Sequence, residues 1–472
     1  MRVVVADGDG VAADVELRVA DEDATVGDLL DALSGPDGTA TGLVLDGRFC
    51  HADLALAEIG IYEGARLRAA DGPPSEHPAA RHGLELRVLA GLDAGRRIPL
   101  GGDPVTVGRD EDCDLPLGDE GVSRRHVRVA PSSGGLGAVV SDLGSSNGTW
   151  VEGKRIEGDT EISPGEVFEA GDVALAVARD TPGMAIDPLR QARRDGTIPF
   201  NRPPRARAPE PGGPLSAPER APDPDRPRLS IVSAVGPLVL GLVLVIALHN
   251  ILFALFMLLS PILVIGSWLE NRRFARRTAR GQTREQEQQL GRFLEQVADR
   301  HAVALAQLRA ALPDPAEILH RATAPDSRLW ERRPEHEDFL WLMGGLARVP
   351  FRPPLAQRIA PAPQAEDILA RYAELELAPV RVDLSGGGVV GLVGPREHAL
   401  ALARSLVCQA AVLHGPADLR IAVLTEASGR EAWDWAKWLP HVRDAASGGS
   451  RRLLAAGPAN ASALAAELAD PD

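Results

Sequence analysis

The apolar positions of the chain fall into three rhythms. Over the first 180 residues they alternate with polar ones in runs of four to six, broken by Gly, Asp and Asn, which is the pattern of short strands and tight turns. The runs "RVVVA" and "VELRV" predict a hairpin. The segment "DATVGDLLDALSG" predicts a helix, with Thr25 and Asp28 at capping-box spacing and Val26, Leu29, Leu30 and Leu33 on one face. A further strand, a turn at Asp46-Gly47 and a closing strand at 65–68 complete this first unit, residues 1–71. Between 85 and 180 the runs "LELRVLAG", "PVTVGR", "HVRVAP", "GAVVSDL", "TWVEGKRI" and "VFEAGDVALAVA" predict an all-β sandwich.

The rhythm then changes twice. Residues 229–268 hold roughly 40 positions without a charged side chain. One membrane pass takes about 20 apolar residues, so this stretch predicts two passes joined by a turn at His249-Asn250. Arg226 and Arg228 flank one end, and Arg272, Arg273, Arg276, Arg277 and Arg280 the other. Positive flanks stay on the cytoplasmic side, so the expectation is a multi-pass protein of the bacterial cell membrane with both termini cytoplasmic. Within the polar helical segment 269–319, Leu290, Leu294, Val297, Leu305, Leu308 and Leu312 recur at three- and four-residue steps, a stripe for a partner helix or for the helix's own domain. From 320 to 472 the strand runs "VVGLVG", "LRIAVLT" and "RRLLAAG" alternate with helical patterns. That order predicts an α/β unit with a parallel sheet, cut short at Asp472.

Composition adds boundaries and exclusions. A spacer at 72–84 and a Pro- and Arg-rich stretch at 181–228 cannot bury enough apolar surface to fold, and read as linkers. The 51 basic residues are outnumbered by 66 acidic ones, a formal charge of −15, which argues against nucleic acid as the main partner. Cys50, Cys113 and Cys408 lie far apart at no metal or disulfide spacing, so no metal site is expected.

Three resemblances follow. "LVLDGRFCHADLALAEIGIYEGARLRA", following a hairpin and a helix, resembles the ubiquitin-like β-grasp, here read as a docking module. "VTVGRDEDCDLPLGDEGVSRRHVRV" followed by "VVSDLGSSNGTWVEGKRI" resembles the forkhead-associated (FHA) domain, which reads phosphothreonine in partner proteins. Carried over on the motif, the resemblance implies that Arg109 and Ser123 bind the phosphate with help from Ser146. Arg124 lies beside them, Asn147 binds the peptide backbone, and Gly108, His126 and Gly148 hold the loops in shape. The chemistry suits the residues, since a phosphate dianion takes a guanidinium fork and neutral hydroxyl and amide donors. Thr197 in "RRDGTIPFNRPPR", preceded by Arg193 and Arg194 and followed by Phe200, is a candidate phosphosite for that pocket, set against an ordinary linker threonine.

The segment "VVGLVGPREHALALARSL" has the layout of a phosphate-binding P-loop without its parts. Counted from Gly391, Arg396 stands at the second Gly, Glu397 at the Lys and His398 at the hydroxyl; counted from Gly394, the positions hold Ala399, Leu400 and Ala401. After "LRIAVLT", Thr425 stands where a Walker B Asp belongs, with Glu426 one place later. No catalytic residue and no ATP hydrolysis are therefore expected of this chain. Together with "LWERRPEHEDFLWLMGGLA" and "WDWAKWLPHVRDA", this region resembles the degenerate membrane-proximal domain of FtsK/SpoIIIE-type ATPases of type VII secretion, the EccC/EssC group. The fold expected is thus multidomain: β-grasp, FHA sandwich, two-helix transmembrane hairpin and Rossmann-like degenerate ATPase domain.

The resemblance implies the regulatory and anchoring part of a secretion motor. Its partners would be a threonine-phosphorylated protein and other membrane subunits of the complex, and a homo-oligomer is implied by the resemblance alone. No cofactor is expected here; ATP and magnesium would enter only with motor domains beyond Asp472. The alternatives are a stand-alone phosphothreonine-reading membrane scaffold and a fragment of a DNA translocase, the latter opposed by the acidic balance.

Overall fold

The computed structural model describes residues 2–179, with breaks at 7–11, 20–22, 35–39, 46–47, 63, 73–82 and 133; residues 200, 202, 205, 212–219, 235, 239, 243 and 246; and 252–469, with breaks at 324–327, 357–360, 445–446 and 448–450. The Asp46-Gly47 turn, most of both linkers, Thr197 and the His249-Asn250 turn lie outside the described residues. The chain forms two compact units, one made of 1–208, 309–347 and 379–472, the other of 209–308 and 348–378.

The first unit begins with β1 (Arg2–Ala6), β2 (Ala12–Glu16), α1 (Val26–Ser34), β3 (Gly42–Leu45), β4 (Arg48–His51), the one-turn α2 (Leu56–Ile59) and β5 (Arg66–Ala70). The sheet order is β2-β1-β5-β3-β4, with β1 and β5 parallel, which is the β-grasp arrangement. At the start of α1 the Thr25 backbone N–H donates to Asp28 Oδ2 at 2.8 Å and the Asp28 N–H to Thr25 Oγ1 at 3.3 Å, a reciprocal cap. The capped helix buries Val26, Leu29 and Leu30 on Leu43, Leu45 and Leu67.

The second domain runs through β6 (Leu84–Val88), β7 (Arg97–Leu100), β8 (Val105–Gly108), β9 (Leu115–Pro116), β10 (Val127–Pro131), β11 (Ala138–Asp142), β12 (Thr149–Val151), β13 (Lys154–Arg155), β14 (Thr160–Ile162), β15 (Val167–Ala170) and β16 (Val173–Arg179). Two sheets, β14-β11-β10-β8-β9 and β13-β12-β15-β16-β6-β7, enclose a core that includes Leu86, Val107, Val127, Val129, Val140, Phe168 and Leu175. Alternation of burial along β10 (Val127 and Val129 in, Arg128 out) fixes which face carries the core.

Helix α3 (Leu252–Ala311) is continuous over 60 residues. This corrects the membrane hairpin expected over 229–268. Among the described residues no helix is long and apolar enough to cross a membrane. An uncharged run becomes a span only if it forms a helix apolar along its length. Here the same α3 runs on from the uncharged run through Glu270 and the arginines at 272–280 into Glu- and Gln-rich turns. The multi-pass placement with cytoplasmic termini rested on that hairpin and falls with it. Farther along α3, Leu290, Phe293 and Val297 pack on Leu215, Ala217, Ala362 and Ala365 in the core of the second unit, so this part of the stripe serves the helix's own domain.

The remaining elements are α4 (Pro315–Thr323), β17 (Trp341–Pro350), α5 (Pro363–Arg371), β18 (Glu374–Asp383), α6 (Arg396–Leu413), β19 (Val423–Thr425), α7 (Arg430–Trp433), β20 (Leu454–Ala456) and α8 (Pro458–Ala469). β17 pairs with β18, and β19 runs parallel to β20. Gln409, buried on α6, substitutes for a strand partner: its amide accepts from the Met343 N–H at 2.7 Å and donates to the Met343 carbonyl at 2.9 Å. The run "VVGLVG", expected as the strand before α6, is not a strand. Val389 is 99% and Val393 100% exposed, and no backbone N–H between 388 and 394 donates a hydrogen bond among the described residues.

Candidate functional site

Three loops at one end of the sandwich are tied to one another by their backbones. Where β8 ends, the Arg109 N–H donates to the Ser123 carbonyl and the Asp110 N–H to the Arg124 carbonyl, each at 3.0 Å. Gly108 makes this approach possible, because a Cβ there would overlap the Arg124 carbonyl oxygen and sit 2.9 Å from Arg125 Cα. The third loop joins through the Ser146 N–H, which donates to Ser123 Oγ at 3.0 Å, and through Asn147 Nδ2, which donates to the Gly121 carbonyl at 2.9 Å. Arg109, Ser123, Ser146 and Asn147 therefore border one surface.

His126 sits beneath it, fully buried. Its Nδ1 accepts the Ser123 N–H at 3.1 Å, which leaves Nε2 to carry the proton and donate to the Gly148 carbonyl at 3.2 Å. Burial pushes its pKa down, against the bond to Gly148 and the nearby Asp142 charge, so the neutral ring pins two loops. Gly148, at φ +79°, turns the loop where a side chain would be strained and would meet Arg155 Nε at 2.5 Å.

Asp142 is the organiser that motif spacing did not single out. Its Oδ1 accepts the N–H groups of Gly144 and Ser145 at 2.8 and 2.9 Å, and its Oδ2 the hydroxyls of Ser145 and Thr149 at 2.5 and 2.7 Å. Burial would raise its pKa, but these donors outweigh burial and hold the carboxyl below its usual range. The available signal was an Asp three residues before a Ser in "SDLGSSNGT", an Asx-turn pattern. Cys113, buried, donates its thiol to the Arg124 carbonyl at 3.3 Å and so supports the 121–126 loop.

The exposed rim is cationic and unspent. The guanidinium groups of Arg109 and Arg124 have no hydrogen bond or ion pair among the described residues, and Ser123 Oγ accepts a bond but donates none. Asn147 Oδ1 likewise has no partner among them. Two free cations, a free hydroxyl proton and an amide on rigid loops suit a doubly charged anion attached to a peptide. Among the described residues no cluster of three His, Cys, Asp or Glu side chains could hold a metal ion. At the other loop expected to touch phosphate, Glu397 and His398 stand exposed in the first turn of α6, 3.9 Å apart, so a carboxylate occupies the place of the phosphate-binding Lys.

The two sheets and the loop constellation define an FHA-like β-sandwich. The homologues of this chain are EccC proteins of ESX secretion systems and FHA-domain proteins, which makes it an FHA-containing relative of type VII secretion components. It is 36% identical over 138 residues to the ESX-4 secretion system protein EccC4 of Mycobacterium tuberculosis, covering 27% of this chain and 11% of that protein. It is 36% identical over 91 residues to the FHA domain-containing protein FhaB of Mycolicibacterium smegmatis, covering 19% of this chain and 57% of the other. The family described as the cytoplasmic domain of an inner-membrane component of type III secretion, Yop-YscD, matches residues 87–181. Among solved structures, an FHA domain of Chlamydia trachomatis is 31% identical, covering 20% of this chain and 95% of its own, with a TM-score of 0.19. The chain spans only about a tenth of the length of the EccC relatives it matches.

Proposed function

We propose that the loops at 108–110, 121–126 and 144–149 bind a threonine-phosphorylated protein, and that the chain serves as the phosphothreonine-reading component of a type VII-like secretion apparatus. In this reading Arg109 and the Ser123 hydroxyl hold the phosphate, Ser146 assists, Arg124 flanks it, and Asn147 Oδ1 accepts an N–H of the peptide. The observation that carries it is an Arg109 guanidinium without a partner among the described residues, on a loop whose backbone is bonded to Ser123, the hydroxyl of which accepts the Ser146 N–H and donates no bond among them. The α/β part would act as an ATPase-like body that hydrolyses nothing itself, given Arg396, Glu397 and His398 at the P-loop positions.

The test is titration of the intact chain with phosphothreonine peptides, read by calorimetry, with phosphoserine and unphosphorylated peptides as controls. Arg109→Ala should weaken phosphothreonine binding by roughly 30-fold or more, the worth of a lost charge-assisted pair. Equal affinity of the variant and the parent protein would move the phosphate elsewhere.

A further inference from the structure

We infer that the FHA-like domain is latched onto helix α4 of its own chain, through the sheet that carries β6 and β7, so that its phosphate-facing loops are held at a fixed place on the α/β body.

The seam is ionic and closed. Arg87 on β6, its side chain 11% exposed, lies 2.5 Å from Glu85 on one side and 3.3 and 3.6 Å from Glu317 and Asp314 at the start of α4 on the other. Glu317 also accepts from Arg321 at 3.0 Å and Arg328 at 2.6 Å, and Arg321 reaches Glu331 at 2.8 Å. At the rim Arg97 donates to His320 Nδ1 at 2.9 Å, and Arg309 donates to the Gly165 carbonyl at 2.5 Å. Between these contacts the β6–β7 turn closes on the helix. A Cβ at Gly95 would lie 2.9 Å from Leu319 Cδ1 and 3.6 Å from Pro315 Cβ.

Taking charges of both signs out of water costs several kcal/mol per ion unless each finds its counterpart. Arg87 meets two of its three carboxylates only on α4. A domain swinging on a linker would leave both faces hydrated and would have no use for this arrangement. None of the residues at 109, 123–126 or 144–149 takes part in the seam, so latching leaves the candidate site open. A protein captured there is delivered to a defined position on the α/β body.

The measurement is hydrogen exchange of the intact chain by mass spectrometry. Glu317→Arg, which sets like charges against Arg87, should raise exchange about tenfold or more in both β6–β7 and α4, while β10 and β11 stay protected. A rise confined to α4, or none, would overturn the latch. Should β10 and β11 also lose protection, the rim variant Arg97→Ala decides. It should raise exchange roughly threefold in β7 and α4, and more in high salt; no rise there sinks the inference. Peptide titration is a separate readout, so loss of phosphopeptide binding with the seam intact would count against the functional reading alone.

Discussion

Two glycine-containing loops of this chain have the look of anion cradles, and only one is built. Around Gly108 and Gly148 the backbones are tied: carbonyls of 121, 123, 124 and 148 accept bonds, His126 and Asp142 hold the loops, and Arg109 and Arg124 have no side-chain partner among the described residues. Around Gly391 and Gly394 nothing closes. A Cβ at either would meet no atom within 4 Å, and Val389 and Val393 are bare. A phosphate site is thus made by what fixes the loop, and a Gly-rich turn before a helix is insufficient without it.

The sharpest way to break the comparison is to add one methyl group to each loop. Gly108→Ala drives a Cβ into the Arg124 carbonyl, where backbone on both sides cannot yield, and should cost about 3 kcal/mol of FHA-domain stability. Gly391→Ala should change stability by under about 0.5 kcal/mol. Denaturant unfolding followed by exchange protection of β8 and β10 reads both, and equal effects would erase the distinction.

Removing the organiser is the next largest effect. Asp142→Ala strands the Ser145 and Thr149 hydroxyls and two N–H groups, at about 2 kcal/mol, and should loosen the 144–149 loop before the rest of the sandwich. Acid should do the same in two steps. His126 has its folded pKa below the unfolded value near 6.5, so its contribution is complete above that pH and declines as pH falls from there toward the folded value. Asp142 is also depressed, so its contribution is present above about 3.9 and is lost only as pH drops through its lower folded value. Exchange in the 121–126 loop should therefore rise at mildly acidic pH, ahead of exchange at 144–149. The reverse order would show that Asp142 is not the tighter pin.

What the sequence disclosed depended on how local each determinant was. The cap at Thr25 and Asp28, the alternation in β10 and the FHA spacing from Gly108 to Thr149 all concern residues near one another along the chain, and each was readable there. Asp142 gathers its four donors within seven residues, but an Asx-turn pattern is common to many loops and does not by itself single out an organiser, whereas Gln409 acts on Met343 across 66 positions and leaves no trace in spacing. The membrane hairpin failed for the opposite reason. An uncharged run is a strong local signal, but whether it spans depends on the whole helix, and the described α3 continues from that run into charge. "VVGLVG" failed similarly: apolar β-branched residues favour a strand only when another strand offers its edge, and among the described residues β19 pairs with β20 alone.

The smallest effect belongs to those valines, and it tests the same contrast from its empty side. Val389→Ser together with Val393→Ser removes two side chains that are almost wholly in water already, so no burial is lost. The unfolding midpoint should move by less than the equivalent of about 0.5 kcal/mol, and peptide titration at the FHA loops should be unchanged. Because exposed apolar, unpaired backbone invites strand pairing between molecules, solubility should rise as stability stays level. A clear loss of stability instead would mean that the segment is packed in solution, and that the two loops differ in their chemistry but not in whether they are built.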